Sequence, residues 1–142
     1  MSVDTVCKLS TLNNIVGIKE ASLDINHIQD LFYRVDNSFD IYCGNDNLNN
    51  IFKSLGASGT ISVTSNAYPQ LVKKMWAGDK EAYNLLYDIN NLLFVEPNPI
   101  PIKYVLSKLG FIKNVLRSPL TNLSSLYHNS IKKQITKLKE YL

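Results

Sequence analysis

The sequence predicts an α/β fold: the C-terminal part of a (β/α)8 TIM barrel, contributing the last three parallel strands, followed by a C-terminal helical region. Two observations predict it. Within the first 66 residues, three β-branched runs alternate with segments of helical periodicity, the pattern of parallel strands joined by right-handed crossovers. Beyond that point the strand signal stops and only helical segments follow. Three parallel strands are few for a free-standing sheet buried on both faces. A complete barrel needs roughly 250 residues, so a chain carrying its last three strands shows both this order and this shortage. We expect one domain in total, with residues 1–66 holding the last three βα units and residues 67–142 the closing helices and C-terminal helical region. The N-terminal half of the barrel is expected to be absent.

The elements follow in order. Asn14-Ile15-Val16-Gly17-Ile18 reads as a strand, and Asp24 to Tyr33 then spaces its apolar residues at three and four, which reads as a helix. Phe39-Asp40-Ile41-Tyr42-Cys43 repeats the strand signal. Asp46 is placed to cap a helix from Asn47 to Leu55 by accepting its free N–H groups. Glycines at Gly56 and Gly59 end that helix, and Thr60-Ile61-Ser62-Val63-Thr64 gives the third strand. Pro69 suits the first turn of a helix ending near Gly78, and Asp79 can cap a longer one through Leu93. The three prolines of Glu96-Pro97-Asn98-Pro99-Ile100-Pro101 predict an extended, stiff connector. Helical segments over residues 102–109 and 122–141 follow, separated by Gly110 and the Arg117-Ser118-Pro119 break.

Composition narrows the function classes. With 45% hydrophobic and 19% charged residues, 142 residues have enough apolar side chains for one core. The N-terminus has an early acid and no apolar signal core, and the longest apolar cluster, Leu92 to Val95, is too short to span a bilayer. A cytoplasmic protein without membrane attachment is expected. Cys7 and Cys43 are far apart, and His27 and His128 have no acidic or cysteine companions at ligand spacing, so no metal and no cofactor is expected. Cys43 reads as a small buried residue on a strand. Net charge is +3, much of it from Lys132, Lys133, Lys137 and Lys139, whose helical spacing predicts a solvated face. Nucleic-acid binding is not expected, because arginine is confined to Arg34 and Arg117.

The run Val16-Gly17-Ile18-Lys19-Glu20-Ala21-Ser22 resembles the lysine strand of the dihydrodipicolinate synthase and N-acetylneuraminate lyase superfamily of class I aldolase-like barrels. The resemblance continues through Gly44-Asn45-Asp46, where the family usually has glycine and one or two aspartates. It extends through Gly59-Thr60-Ile61-Ser62-Val63-Thr64-Ser65-Asn66 and through Leu93 to Lys103, whose Asn-Pro-Ile-Pro block is more typical of the synthase than of the sugar-acid lyases. It ends at Arg117-Ser118-Pro119-Leu120, similar to the family's Arg-Leu-Pro-Leu. These blocks cover nearly all of the chain in the family's order. Cys43 in place of Ser, Asn45 in place of Asp and Ser118 in place of Leu are departures that leave Lys19 standing.

The resemblance implies a lyase that condenses pyruvate with aspartate semialdehyde through a lysine Schiff base, in lysine and diaminopimelate biosynthesis. A related sugar-acid lyase such as N-acetylneuraminate lyase is the alternative. It assigns Lys19 as nucleophile, with Gly44 and Ile61 lining the pyruvate pocket, Ile61 through its backbone. A lysine attacks a keto carbon only when unprotonated, and its reference pKa is near 10.4, so Lys19 is expected to be desolvated at the C-terminal mouth of its strand. Glu20, one step on, is expected to face the other way and to pair with a cation on a helix. The family's Gly-Thr-Thr-Gly-Glu loop, its tyrosine relay and its substrate arginine match nothing in these residues. An open half-barrel exposes strand edges and apolar inner faces. Association with a separately encoded N-terminal half, or a homo-oligomer such as the family's tetramer, is therefore expected. An inactive remnant and a non-catalytic partner kept for its helical surface are the other readings.

Overall fold

The computed structural model describes residues 1–142, which divide into two units, Met1–Ser62 and Val63–Leu142. The first holds helix α1 (Val3–Ser10), strand β1 (Gly17–Glu20), helix α2 (Ile25–Arg34), strand β2 (Asp40–Cys43), helix α3 (Asn49–Ser54) and strand β3 (Gly59–Thr60). The strands form one parallel sheet in the order β1-β2-β3, with Lys19 in register with Tyr42 and Tyr42 with Gly59. The period-two alternation is visible in the burial: Ile41 and Cys43 are buried, while Asp40 and Tyr42 on the other face are half-buried.

On α2 the buried residues are Ile28 and Leu31, three apart, and Val35, four further on at the C-cap, continues the buried side. Asp24 caps this helix, its carboxylate accepting the N–H groups of Asn26 and His27 at 2.9 and 3.3 Å. The Phe32 and Phe52 rings meet edge-on at 5.8 Å between centroids, a geometry that aligns one ring's positive edge with the other's negative face. Arg34 joins α1 to α2 by binding Asp4 at 2.5 Å and Asp30 at 3.3 Å. The guanidinium holds the Asp4 carboxyl below its ordinary range, but both groups are exposed and such pairs contribute little stability.

Several boundaries differ from those read in the sequence. The first strand lies later, from Gly17 rather than Asn14, and so includes Lys19 and Glu20. The third strand is only Gly59–Thr60, and Thr64–Asn66 forms a 3-10 turn instead of extending it. Asp46 is not the cap of α3: it is buried inside the 3-10 turn Asp46–Leu48, which Asn45 caps by accepting the Asn47 N–H at 3.1 Å, and α3 itself begins at Asn49 without a side-chain cap. The intervening 3-10 turn moves the start of α3 two residues along from the expected Asn47, so Asp46 no longer stands at the helix entrance.

The second unit is helical: α4 (Pro69–Ala77), α5 (Lys80–Leu92), α6 (Ile100–Lys108) and α7 (His128–Lys137), with 3-10 turns at Ser125–Tyr127 and Lys139–Tyr141. Gly78 ends α4 at φ 107°, where a side chain would be strained, and Asp79 at once caps α5 through the N–H groups of Glu81 and Ala82. The core combines Leu71, Met75, Leu86, Ile89, Val105 and Ile131, all buried. The proline-rich connector is shorter than the sequence suggests, because α6 begins at Ile100 and carries Pro101 in its first turn. A helix tolerates proline there, where its missing N–H has no intrahelical partner. The last helix also starts later, at His128. Gln134 and Lys137 of α7 reach Asp88 of α5 at 3.2 and 3.5 Å, and Lys132, Lys133, Lys137 and Lys139 are all on the wet side.

Candidate functional site at the strand ends

Lys19 is the third residue of β1, and it is exposed, whereas its neighbour Glu20 is 8% exposed. Alternation along the strand accounts for the contrast: the two consecutive side chains leave opposite faces of the sheet. The stem of Lys19 runs across Gly44, immediately after β2. A Cβ built on Gly44 would lie 2.7 Å from Cε and 3.0 Å from Cγ of Lys19, closer than carbon atoms approach. The glycine is needed there to let the lysine pass. The Gly44 N–H donates to the Glu20 carbonyl at 2.7 Å, extending the β1–β2 ladder to the site.

Ile61 follows the end of β3, and its N–H donates to the carbonyl of Cys43 at 2.8 Å. Lys19, Gly44 and Ile61 thus stand at the C-terminal ends of three adjacent strands, with Lys19 and Gly44 in direct contact. The Ile61 side chain is 49% exposed. The desolvation anticipated for Lys19 is not supplied by these residues, since its side chain is open.

Tyr42 shares the Lys19 face. Its ring lies over Gly59, where a Cβ would come within 3.2 Å of it, and its hydroxyl donates to Asp40 at 3.4 Å. Asp40 also accepts from Ser58 at 2.6 Å. This polar group on the sheet face was not singled out from the sequence; the alternation of Asp40 and Tyr42 with Ile41 and Cys43 was the signal for it.

On the opposite face the Glu20 carboxylate is held at both oxygens. Oε1 accepts the Ser22 N–H at 2.6 Å, and Oε2 lies 3.2 Å from His27 Nε2. The helix residue that Glu20 meets is therefore His27, which sequence spacing alone left without an acidic companion. Cys43, wholly buried, donates its S–H to the Asn45 carbonyl at 3.1 Å. Burial pushes its thiol up to about 11, as the inert strand residue read from the sequence would be. No three His, Cys, Asp or Glu side chains gather as metal ligands do, and no helix is long and apolar enough to cross a membrane.

Parallel βα units in sequential order, with a lysine and a glycine in contact at the strand ends, define a segment of a (β/α)8 barrel with its candidate chemistry on the C-terminal face. The chain belongs to the dihydrodipicolinate synthetase family, which it matches over residues 1–138. It is 42% identical to the 4-hydroxy-tetrahydrodipicolinate synthase of Nitrosomonas europaea, over 94% of this chain and 48% of that protein. It is 36% identical to that of Legionella pneumophila strain Philadelphia 1, over 98% of this chain and 51% of the relative. Among solved structures, dihydrodipicolinate synthase from Aquifex aeolicus superposes with a TM-score of 0.91 at 35% identity, over 99% of this chain and 51% of that one. The chloride-inhibited enzyme from Acinetobacter baumannii, complexed with pyruvate, gives 0.88 at 32% identity, over 97% and 50%. The chain thus spans about half the length of the relatives it matches.

Proposed function

We propose that this chain is the lysine-bearing part of a 4-hydroxy-tetrahydrodipicolinate synthase, a lyase that condenses pyruvate with aspartate semialdehyde in lysine and diaminopimelate biosynthesis in the cytoplasm. Lys19 is the nucleophile in this reading, and Gly44 and Ile61 line the pyruvate pocket. The observation that carries it is the contact of Lys19 with Gly44 at the end of the parallel sheet, in a chain of this family. The pyruvate held by the Acinetobacter baumannii relative supports the same substrate here. The synthase names of the relatives favour this reaction over cleavage of a sugar acid.

The unprotonated Lys19 amine attacks the keto carbon of pyruvate, and loss of water leaves an imine. The imine nitrogen draws electrons from the adjacent methyl group, which gives up a proton to form an enamine. The enamine carbon then attacks the aldehyde carbon of aspartate semialdehyde, whose oxygen takes up a proton. Attack by the substrate's own amino group on the imine carbon closes the ring and releases Lys19. Closing the barrel with a complementary N-terminal half, or with further copies in an oligomer, supplies the desolvation of the amine that the residues of this chain do not. Residues 1–66 then serve as the lysine-bearing βα units, and residues 67–142 as the closing helices of one domain.

The test is to treat the assembled enzyme, this chain joined to its complementary half, with pyruvate and borohydride and to map the adduct by mass spectrometry. A reduced pyruvate on Lys19 is the expected result. An adduct elsewhere, or none, would overturn the proposal, and the absence of any adduct would favour an inactive remnant.

A further inference from the structure

We infer that Glu20, held by His27, is a positioning residue that aims Lys19, an inference that rests on the nucleophilic role just proposed for Lys19. Residue 20 is fixed at three points that lie in three different parts of the unit. Its carbonyl accepts the Gly44 N–H beyond β2 at 2.7 Å. Its Oε1 accepts the N–H of Ser22, in the loop that leaves the strand, at 2.6 Å. Its Oε2 meets Nε2 of His27, in the opening turn of α2, at 3.2 Å. Ser22 in turn accepts the Asp24 N–H at 3.0 Å, and Asp24 caps α2, so the carboxylate is built into the junction between strand and helix.

Lys19 has nothing comparable. Its side chain is exposed and its direction is set by its own backbone and by the clearance over Gly44. The dihedral angles at the end of β1 therefore decide where the amine points, and the next residue along is the one the fold has anchored. A carboxylate that is 8% exposed is costly to bury, and two hydrogen bonds to it offset that cost only while His27 and the Ser22 amide stay in place. Displacing the backbone by about 1 Å is enough to slow a reaction that depends on alignment by roughly a hundredfold. His27 is assigned Nε2–H by this geometry, since an ionised carboxylate only accepts.

The test uses the assembled enzyme and measures, per folded molecule, the rate of borohydride trapping at Lys19 with saturating pyruvate, together with kcat and KM. Glu20→Ala is expected to slow trapping by roughly tenfold or more and to lower kcat with little change in KM. Glu20→Gln keeps an oxygen for the Ser22 amide and an NH2 group for the other imidazole tautomer, so it is expected to restore most of the rate. His27→Ala, which truncates a partly exposed side chain and leaves the Glu20 carboxylate its bond from the Ser22 amide, is expected to slow trapping in the same direction, and it decides the matter if Glu20→Ala does not fold. Wild-type trapping rates in soluble Glu20→Ala or in His27→Ala, with only a lowered melting temperature, would reduce the pair to a structural role and overturn the inference. Failure of Glu20→Gln to restore the rate would also overturn it, pointing to charge instead of position. If the unaltered enzyme forms no adduct at Lys19, the aldolase reading itself fails, and the inference falls with it.

Discussion

The side chain of Lys19 passes over Gly44 so closely that a Cβ there would lie 2.7 Å from Lys19 Cε and 3.0 Å from both Lys19 Cγ and Ala21 Cβ. No positive φ is required of Gly44, so its role is one of space and not of backbone conformation. Gly44→Ala is therefore expected to fold, because the exposed lysine stem can swing aside and the Ala21 methyl need give by only a few tenths of an ångström, but to send the amine elsewhere. In the assembled enzyme, pyruvate trapping at Lys19 should slow roughly ten- to a hundredfold while the melting temperature stays close to that of the parent. Equal trapping rates would show that the clearance does not direct the lysine.

The thiol of Cys43 provides a test of the sheet face that Glu20 shares, opposite Lys19. Burial first, and then the negative charge of Asp46, push its pKa from 9.0 up to about 11. The folded state therefore keeps its proton between pH 9 and 11, where the unfolded thiol loses it. This group's contribution to stability is fully present below pH 9 and is lost as pH rises through 11. Native protein at pH 8 should be labelled by a thiol reagent at the partly exposed Cys7 and not at Cys43, and both should react in denaturant. Cys43→Ala should flatten the fall in stability between pH 9 and 11. Rapid native labelling of Cys43 would contradict its burial.

Tyr68 is buried in the helical unit at 0% exposure, and its hydroxyl has no hydrogen-bond partner. Burial pushes its pKa to about 12. A buried hydroxyl without a partner forfeits its hydration and gains nothing in return. Tyr68→Phe keeps the ring among Leu71, Val72 and Met75 of the same core and removes only the oxygen. Urea unfolding should show the variant more stable by about 1 kcal/mol. A loss of stability would mean that the hydroxyl is satisfied in solution.

How far the fold and the site were legible in the sequence follows from which forces act locally. The alternation of strands and helices, the Asp79 cap, the Gly78 stop and the solvated lysines of α7 are all fixed within a few residues of chain, and all were readable. The opposite faces of Lys19 and Glu20 followed from strand periodicity alone. What was not legible depends on contacts between segments. His27 as the partner of Glu20 requires knowing how α2 returns along β1, and the Asp40, Tyr42 and Ser58 group requires the register of β2 and β3. The early end of β3 was hidden because Ile61 and Val63 carry strand propensity, which the 3-10 turn at Thr64–Asn66 overrides.

Ile61 gives the last prediction, because its two functional groups can be separated. Its N–H is committed to the Cys43 carbonyl at 2.8 Å, so the backbone group it can offer a ligand is its carbonyl, held in place by that bond. The side chain, 49% exposed, takes no part in this. If the residue lines the pyruvate pocket through its backbone, Ile61→Ala should leave the KM for pyruvate in the assembled enzyme within a few-fold of the parent. Proline at the same position removes the N–H and with it the bond to Cys43, freeing the strand end and the carbonyl it holds. Ile61→Pro should therefore raise KM and slow trapping at Lys19 by roughly tenfold or more, in protein whose helical unit still unfolds cooperatively. A large KM effect from Ile61→Ala would place the side chain, and not the backbone, against the substrate.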